Sequence, residues 1–274
     1  MSIDELNTFE YEVPQDGDGD GLPRIWWHNG SKDRKSPGSF YTRAEDWLGD
    51  LPAPWQADER FDNEAGWAAN TLKIIPITYR SQAYMEVKEG ERKRRQYRDK
   101  WEPGLNMRIH TEILCLVEGL DGAVVWSIKG MTGKAVTGKD GIFVQARKAL
   151  VQPAEKALKK RVPLHAFWLP ITQEMENGKL KVVTFPEGGH ITPPSLALPK
   201  GEGRDLLNAL YAGRELIEEA GRLRDEYEAW RLQRRGNEPV EEVAPLPVHH
   251  NGRNAPQALT ADEYDPTEDA DNVM

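Results

Sequence analysis

The sequence predicts a mainly β chain with helices, of the α+β class: a five-stranded Greek-key barrel, a long C-terminal helix and disordered acidic ends. Three observations lead there. Residues 71–185 read in the order strand–strand–strand–helix–strand–strand. Residues 205–235 carry apolar side chains at steps of three, four and seven, the period of an amphipathic helix. The acids are segregated to the two ends.

Taken from the start, residues 1–23 hold seven acids and no base. Within them Asp16-Gly-Asp-Gly-Asp-Gly21 imitates the opening of a calcium loop, but the twelfth position, which needs a bidentate acid, is Trp27. It reads as a linker. Arg24–His28 and Ser39–Thr42 are short strand-like pieces, and 43–70 reads as irregular or short-helical cover carrying Trp47, Trp55 and Trp67.

Thr71–Val87 is rich in branched and aromatic residues and predicts one long bent strand or two short ones, with Pro76 marking an edge or a bulge. Asn106–Glu118 is a second strand, alternating Ile109, Thr111, Ile113, Cys115 and Val117 onto one face. Asp121-Gly122 turns the chain into a third strand, Ala123–Lys129, in which Trp126 alternates with Val124 and Ile128 and reads as core. Residues 141–160 read as a helix interrupted at Pro153. Val162–Thr172 predicts a fourth strand, Asn177-Gly178 a hairpin turn, and Lys179–Phe185 a fifth strand. This is the connectivity of the OB-fold, whose helix lies between strands three and four. The domains expected are a leader (1–23), an OB-like body (24–200), a helix (201–236) and a tail (237–274). The helical stripe Leu206, Leu210, Ile217, Ala220, Leu223, Tyr227 and Trp230 packs either on the barrel or on another subunit, making a homo-oligomer.

Net charge is −9, but residues 237–274 hold nine acids and one base, so 24–236 keep 29 acids and 35 bases. A positive body between negative ends suits a polyanion partner. The strongest local signal is Lys88–Trp101, with Lys88, Arg92, Lys93, Arg94, Arg95, Arg98 and Lys100 interleaved with Tyr97 and Trp101. Closely spaced cations neutralise phosphates, and aromatic faces stack on unpaired bases for ~1–3 kcal/mol each. In the expected topology these residues form the loop between strands one and two, with which OB-folds grip oligonucleotides. The alternative is a solvated charged hairpin tip. A second cluster, Arg147, Lys148, Lys156, Lys159, Lys160 and Arg161, either extends a phosphate track or is the wet face of a helix.

Catalytic chemistry finds little support. Gly133-Lys-Ala-Val-Thr-Gly138-Lys139 has P-loop spacing, yet Asp140 stands where a magnesium-binding hydroxyl belongs. Glu86-Val87-Lys88 matches the acid-x-Lys end of a nuclease site without an upstream Pro-Asp. The histidines at 28, 110, 165, 190, 249 and 250 lack zinc spacing. No catalytic residue, metal or cofactor is nominated. The longest apolar run, Ile113–Val117, is far below the ~20 residues of a membrane span. An acidic start without a signal pattern and the lone Cys115 lead to the expectation of a cytoplasmic protein, in the host cytoplasm if phage-encoded.

An OB-type barrel, a basic aromatic-bearing loop, a long helix and an acidic C-terminus together resemble the single-stranded-DNA-binding proteins of phages and mobile elements. The resemblance spans residues 71–185 and 260–274 and implies sequence-independent coating of exposed strands, DNA before RNA, during replication or recombination. It also implies an acidic tail that recruits replication proteins and competes with DNA for the basic groove. The tail departs from that family by ending Asn272-Val273-Met274 where an aromatic residue is usual. The rival readings are an interaction adaptor working through the 205–235 helix, a nuclease or nucleotide hydrolase, and a single-strand annealing factor that promotes duplex formation.

Overall fold

A computed structural model describes residues 22–47, 50–61, 64–89, 92–98, 102, 105, 107–184, 189–228 and 231. Chain order gives β1 (Arg24–His28), β2 (Ser39–Arg43), β3 (Gln56–Phe61), β4 (Glu64–Ala69), β5 (Thr71–Glu89), β6 (Arg92–Arg98), β7 (Met107–Val117) and β8 (Val124–Lys129). Then come α1 (Met131–Thr137), α2 (Ile142–Ala146), α3 (Gln152–Leu158), β9 (Leu169–Gln173), β10 (Met175–Glu176), β11 (Lys179–Leu180), β12 (Val183–Thr184), β13 (His190–Ile191) and β14 (Pro194–Leu196). Two helices, α4 (Gly203–Leu210) and α5 (Arg214–Glu226), follow. No helix among the described residues is long and apolar enough to cross a membrane.

Ten strands make one mixed sheet in the order β14-β9-β5-β7-β8-β1-β2-β4-β3, with β6 paired to β5 beside that path. Every neighbouring pair is antiparallel except β1 with β8, which run parallel from Arg24 opposite Val125 to Trp26 opposite Ser127. The five-stranded barrel is therefore corrected to an open sheet. A barrel needs a free strand edge on which to close; here the edge of β8 is taken by β1, and β2, β4 and β3 extend the sheet from there.

Strand β5 organises the molecule. It pairs along one edge with β7, and along the other with β9 at residues 71–74 and with β6 at residues 83–89. Its register against β7 shifts between Pro76 and Thr78, where the proline cannot donate a ladder hydrogen bond. Beyond the shift, alternation continues on opposite faces.

One face carries Leu72, Ile74, Tyr79, Ile113, Cys115, Val124, Trp126 and Ile128, with Val136, Ile142, Phe143, Leu150, Val151 and Ala154 from α1–α3 and the turn between α2 and α3 packed over them. Trp126 is fully buried there. The same face holds Tyr79, its ring 6.0 Å from that of Phe143. Pro153 sits in the first turn of α3, and the chain reaches it from α2 through a π-helical turn at Arg147–Val151. The wider turn lets the helix run on past a residue that lacks an amide hydrogen. The P-loop-like spacing has a packing origin: Gly133 lies inside α1, where an added Cβ would stand 2.9 Å from Thr111 Oγ1.

The other face carries Ile75, Ile77, Leu114, Leu116, Ala123 and Val125, covered by Ala212, Leu216, Ile217, Ala220, Leu223 and Tyr227 in and around α5. The single helix expected over 205–235 is thus two. Phe167 forms a strand-like bridge to Tyr211, Trp168 N–H donates to the Leu210 carbonyl (2.8 Å), and Ala212 N–H donates to the Ala166 carbonyl (3.0 Å). These bonds hold 210–212 extended, and Gly213, at φ 89°, turns the chain into α5. The described part of the apolar stripe is spent on the chain's own sheet; Trp230 lies outside the described residues.

Other expectations change as well. Residues 56–61 and 64–69 are strands β3 and β4; Gly66 fits there because a Cβ would overlap the Tyr41 ring on β2. The fourth strand shortens to β9 behind a 3-10 turn at Leu164–Ala166, and the fifth to the ribbons β11 and β12. The Asn177-Gly178 turn is present, with both residues at positive φ.

Candidate nucleic-acid interface

The polar stripes of four strands meet on the same side of the sheet as α5, beyond the apolar residues that it covers. On β7 the stripe is Arg108, His110 and Glu112; on β5 it is Arg80, Gln82 and Tyr84; on β8, Ser127 and Lys129; on β1, Arg24, Trp26 and His28. Register sets them side by side: Gln82–His110–Lys129 form one row and Arg80–Glu112–Ser127–Trp26–Tyr41 the next. Tyr97 of β6 and Arg108 flank Tyr84.

Hydrogen bonds fix this array. The Glu112 carboxylate, 2% exposed, accepts from Arg24 through Nη1 and from Arg80 through Nε, the latter at 2.7 Å. Burying a charge is costly unless it is paired, and this carboxylate pairs with two guanidinium groups at once. His110 Nδ1 lies 3.0 Å from Tyr97 Oη and its Nε2 lies 2.7 Å from Ser127 Oγ. A hydroxyl both donates and accepts, so the pair holds the imidazole in either tautomer. The rings cluster too: Tyr84–Tyr97 centroids are 5.9 Å apart, Tyr97–His110 6.0 Å and Trp26–Tyr41 6.5 Å. Arg43 lies over the Trp26 ring at 5.6 Å and donates to Glu45 at 3.1 Å. Of the rings, Trp26 and Tyr97 stay half-exposed, and Arg43, Arg108 and Lys129 are exposed.

Beside Arg24, Asp46 stands at the end of the 3-10 turn after β2. Burial, then the Glu45 carboxylate, push its carboxyl up to about 6, against the pull of Arg43 and Arg24. One of its oxygens is buried with no hydrogen-bond partner. Among the described residues, no group of three or more His, Cys, Asp or Glu is placed to hold a metal ion.

The basic segment takes a form different from the loop expected of it. Arg92, Lys93, Arg94, Arg95, Tyr97 and Arg98 lie in β6, the returning arm of a hairpin whose outgoing arm contains Lys88. Register opposes Glu86 to Arg95, Glu89 to Arg92 and Lys88 to Lys93. Cations on an outer strand also discourage edge-to-edge pairing, a structural use of the same residues. Lys100 and Trp101 lie outside the described residues. The structure joins Tyr97 to the sheet array through His110 and Tyr84.

Sequence reading missed Trp26, Arg43, Arg108, His110 and Lys129. Their signal was present as period-two polar stripes, since Arg108, His110 and Glu112 alternate with the apolar positions already assigned to the core. The chain matches no family model, no curated protein and no solved structure.

Proposed function

We propose that this chain is a binding protein for unpaired nucleic acid, DNA before RNA, that works without base sequence preference and without catalysis. Bases stack on Trp26 and Tyr97, while Arg43, Arg108, Lys129 and the cations of β6 neutralise phosphates. Stacking is blind to sequence because every base has a π-face, and each ring contributes ~1–3 kcal/mol per base.

The observation that carries this reading is two half-exposed rings on one side of the sheet, Trp26 under Arg43 and Tyr97 next to Tyr84, with exposed Arg108 and Lys129 around the buried His110 and Ser127 between them. The apolar side of α5 packs on the chain's own sheet, which counts against an adaptor surface on that side of the helix.

Fluorescence anisotropy with a labelled oligo(dT) strand tests it. Salt-sensitive binding at micromolar concentration or tighter, weakened by Trp26→Ala with Tyr97→Ala, is expected. No binding, or binding indifferent to both rings, refutes it.

A further inference from the structure

The helical layer on the opposite side of the sheet differs in chemistry from the face just described. Residues 131–161 contain eight bases and two acids. Their apolar side is buried against the sheet, and Lys139, Lys148, Lys156, Lys159, Lys160 and Arg161 are all exposed. None of these six forms an ion pair with a described residue. The two acids do little to neutralise them: Glu155 accepts a hydrogen bond from the Val162 amide (3.2 Å), and Asp140 forms no ion pair with a described residue. The contrast with α5 is internal to the molecule. There Arg214 pairs with Glu218, Arg222 with Glu219 and Glu226, Arg224 with Asp225, and Arg231 with Glu228 just beyond the helix. A solvated helix face of the ordinary kind looks like α5.

Lys159 adds a second, independent observation. It ends α3 at φ 55° and ψ 30°, the left-handed conformation that favours glycine, with its amide bonded to the Glu155 carbonyl at 2.9 Å. A long cationic side chain stands where glycine would cost less strain, as it does at the exposed Arg34 (φ 65°). Strain of this kind at an exposed charge is a pointer to use.

The layer also lacks rings. Its sole aromatic residue, Phe143, is fully buried. A surface of cations without rings attracts phosphates and has nothing on which an unpaired base could stack.

We infer that the outer side of α1–α3 is a second nucleic-acid contact, one that holds the phosphate backbone of a duplex. The inference rests on the nucleic-acid reading above for the class of polyanion, and not for the surface or its residues. The chain would then hold an unpaired strand on the sheet and a duplex on the helices at the same time.

The test uses the full chain and two labelled probes, oligo(dT) and a duplex of equal length, titrated over a series of salt concentrations. Parent protein is expected to bind both. In K148E/K156E/K159E/K160E, duplex affinity should fall about tenfold or more, and the salt slope by about one for each lysine that met a phosphate. Binding of oligo(dT) should change much less. Duplex affinity equal to the parent's, or an equal loss for both probes, overturns the two-surface inference while leaving the sheet-face reading intact. A parent that binds duplex but not oligo(dT), and loses duplex on charge reversal, sinks the sheet-face reading and keeps this one. A parent that binds neither sinks both. Lys159→Gly separates use from structure: it should raise the melting temperature and weaken duplex binding together, and a rise in stability with unchanged binding removes Lys159 from the surface.

Discussion

Replacing Glu112 by alanine should be among the most damaging single substitutions in the sheet, and its cost can be worked from the geometry. The carboxylate is shared by Arg24 and Arg80, and all three side chains are a tenth exposed or less. Without it, two guanidiniums remain in a poorly hydrated site with less negative charge to offset them. Breaking a buried pair by removing one partner costs about 3–5 kcal/mol. For a chain of this size each kcal/mol moves the melting temperature by about 2–4 °C, so a drop of roughly 6–20 °C is expected. Thermal melts followed by circular dichroism, with a urea midpoint as a second measure, read it directly. The triple variant R24M/E112L/R80M should recover most of the loss, because apolar residues of similar volume often replace a buried ionic cluster at little cost. That variant removes two bases and one acid, so it should bind oligo(dT) less well than the parent at low salt. A loss below about 1 kcal/mol in Glu112→Ala would refute the reasoning, since it would mean that the guanidiniums regain water without penalty.

Further expectations follow from other residues. Tyr97→Phe keeps the ring and loses the hydroxyl that meets His110, so stability should fall by about 1 kcal/mol while affinity for oligo(dT) holds; a large loss of affinity would give the hydroxyl a direct role. The raised Asp46 carboxyl, about 6 against an ordinary 3.8, means that the folded state takes up a proton across that window. Its contribution to stability is fully present below about 4 and is lost as pH rises through about 6. Asp46→Asn should therefore stabilise the protein at pH ~8 and do little at pH ~4, and an equal effect in melts at both would contradict it. Removing residues 255–274 deletes six acids and no base, so oligo(dT) binding should tighten at low salt and converge on the parent's at high salt; unchanged binding at low salt would exclude competition by the tail.

What was legible in the sequence was local. The strand character of residues 71–87, the irregularity at Pro76, the alternation of Ile109, Ile113 and Cys115, and the Asn177-Gly178 turn each depend on a few neighbouring residues. The overall architecture depends on pairings without a local mark. Nothing near Arg24 announces that it will lie parallel to Val125, yet that contact converts a closed barrel into an open sheet. The helix over 205–235 has the right period throughout, and it breaks at 211–213 because residues 166–168 claim its backbone. Of the proposed interface, the cations of β6 stand out in the sequence by themselves, whereas Trp26, Arg43 and Lys129 come together only when β1, β2 and β8 are set beside β7.

The most direct measurement of the central claim is titration of the full chain against oligo(dT), with the triple variant R43A/R108A/K129A as its partner. The parent should bind with a steep dependence on salt, and the variant should bind more weakly with a slope lower by about three. Equal affinity and equal slope for the two proteins would contradict the assignment of this sheet face.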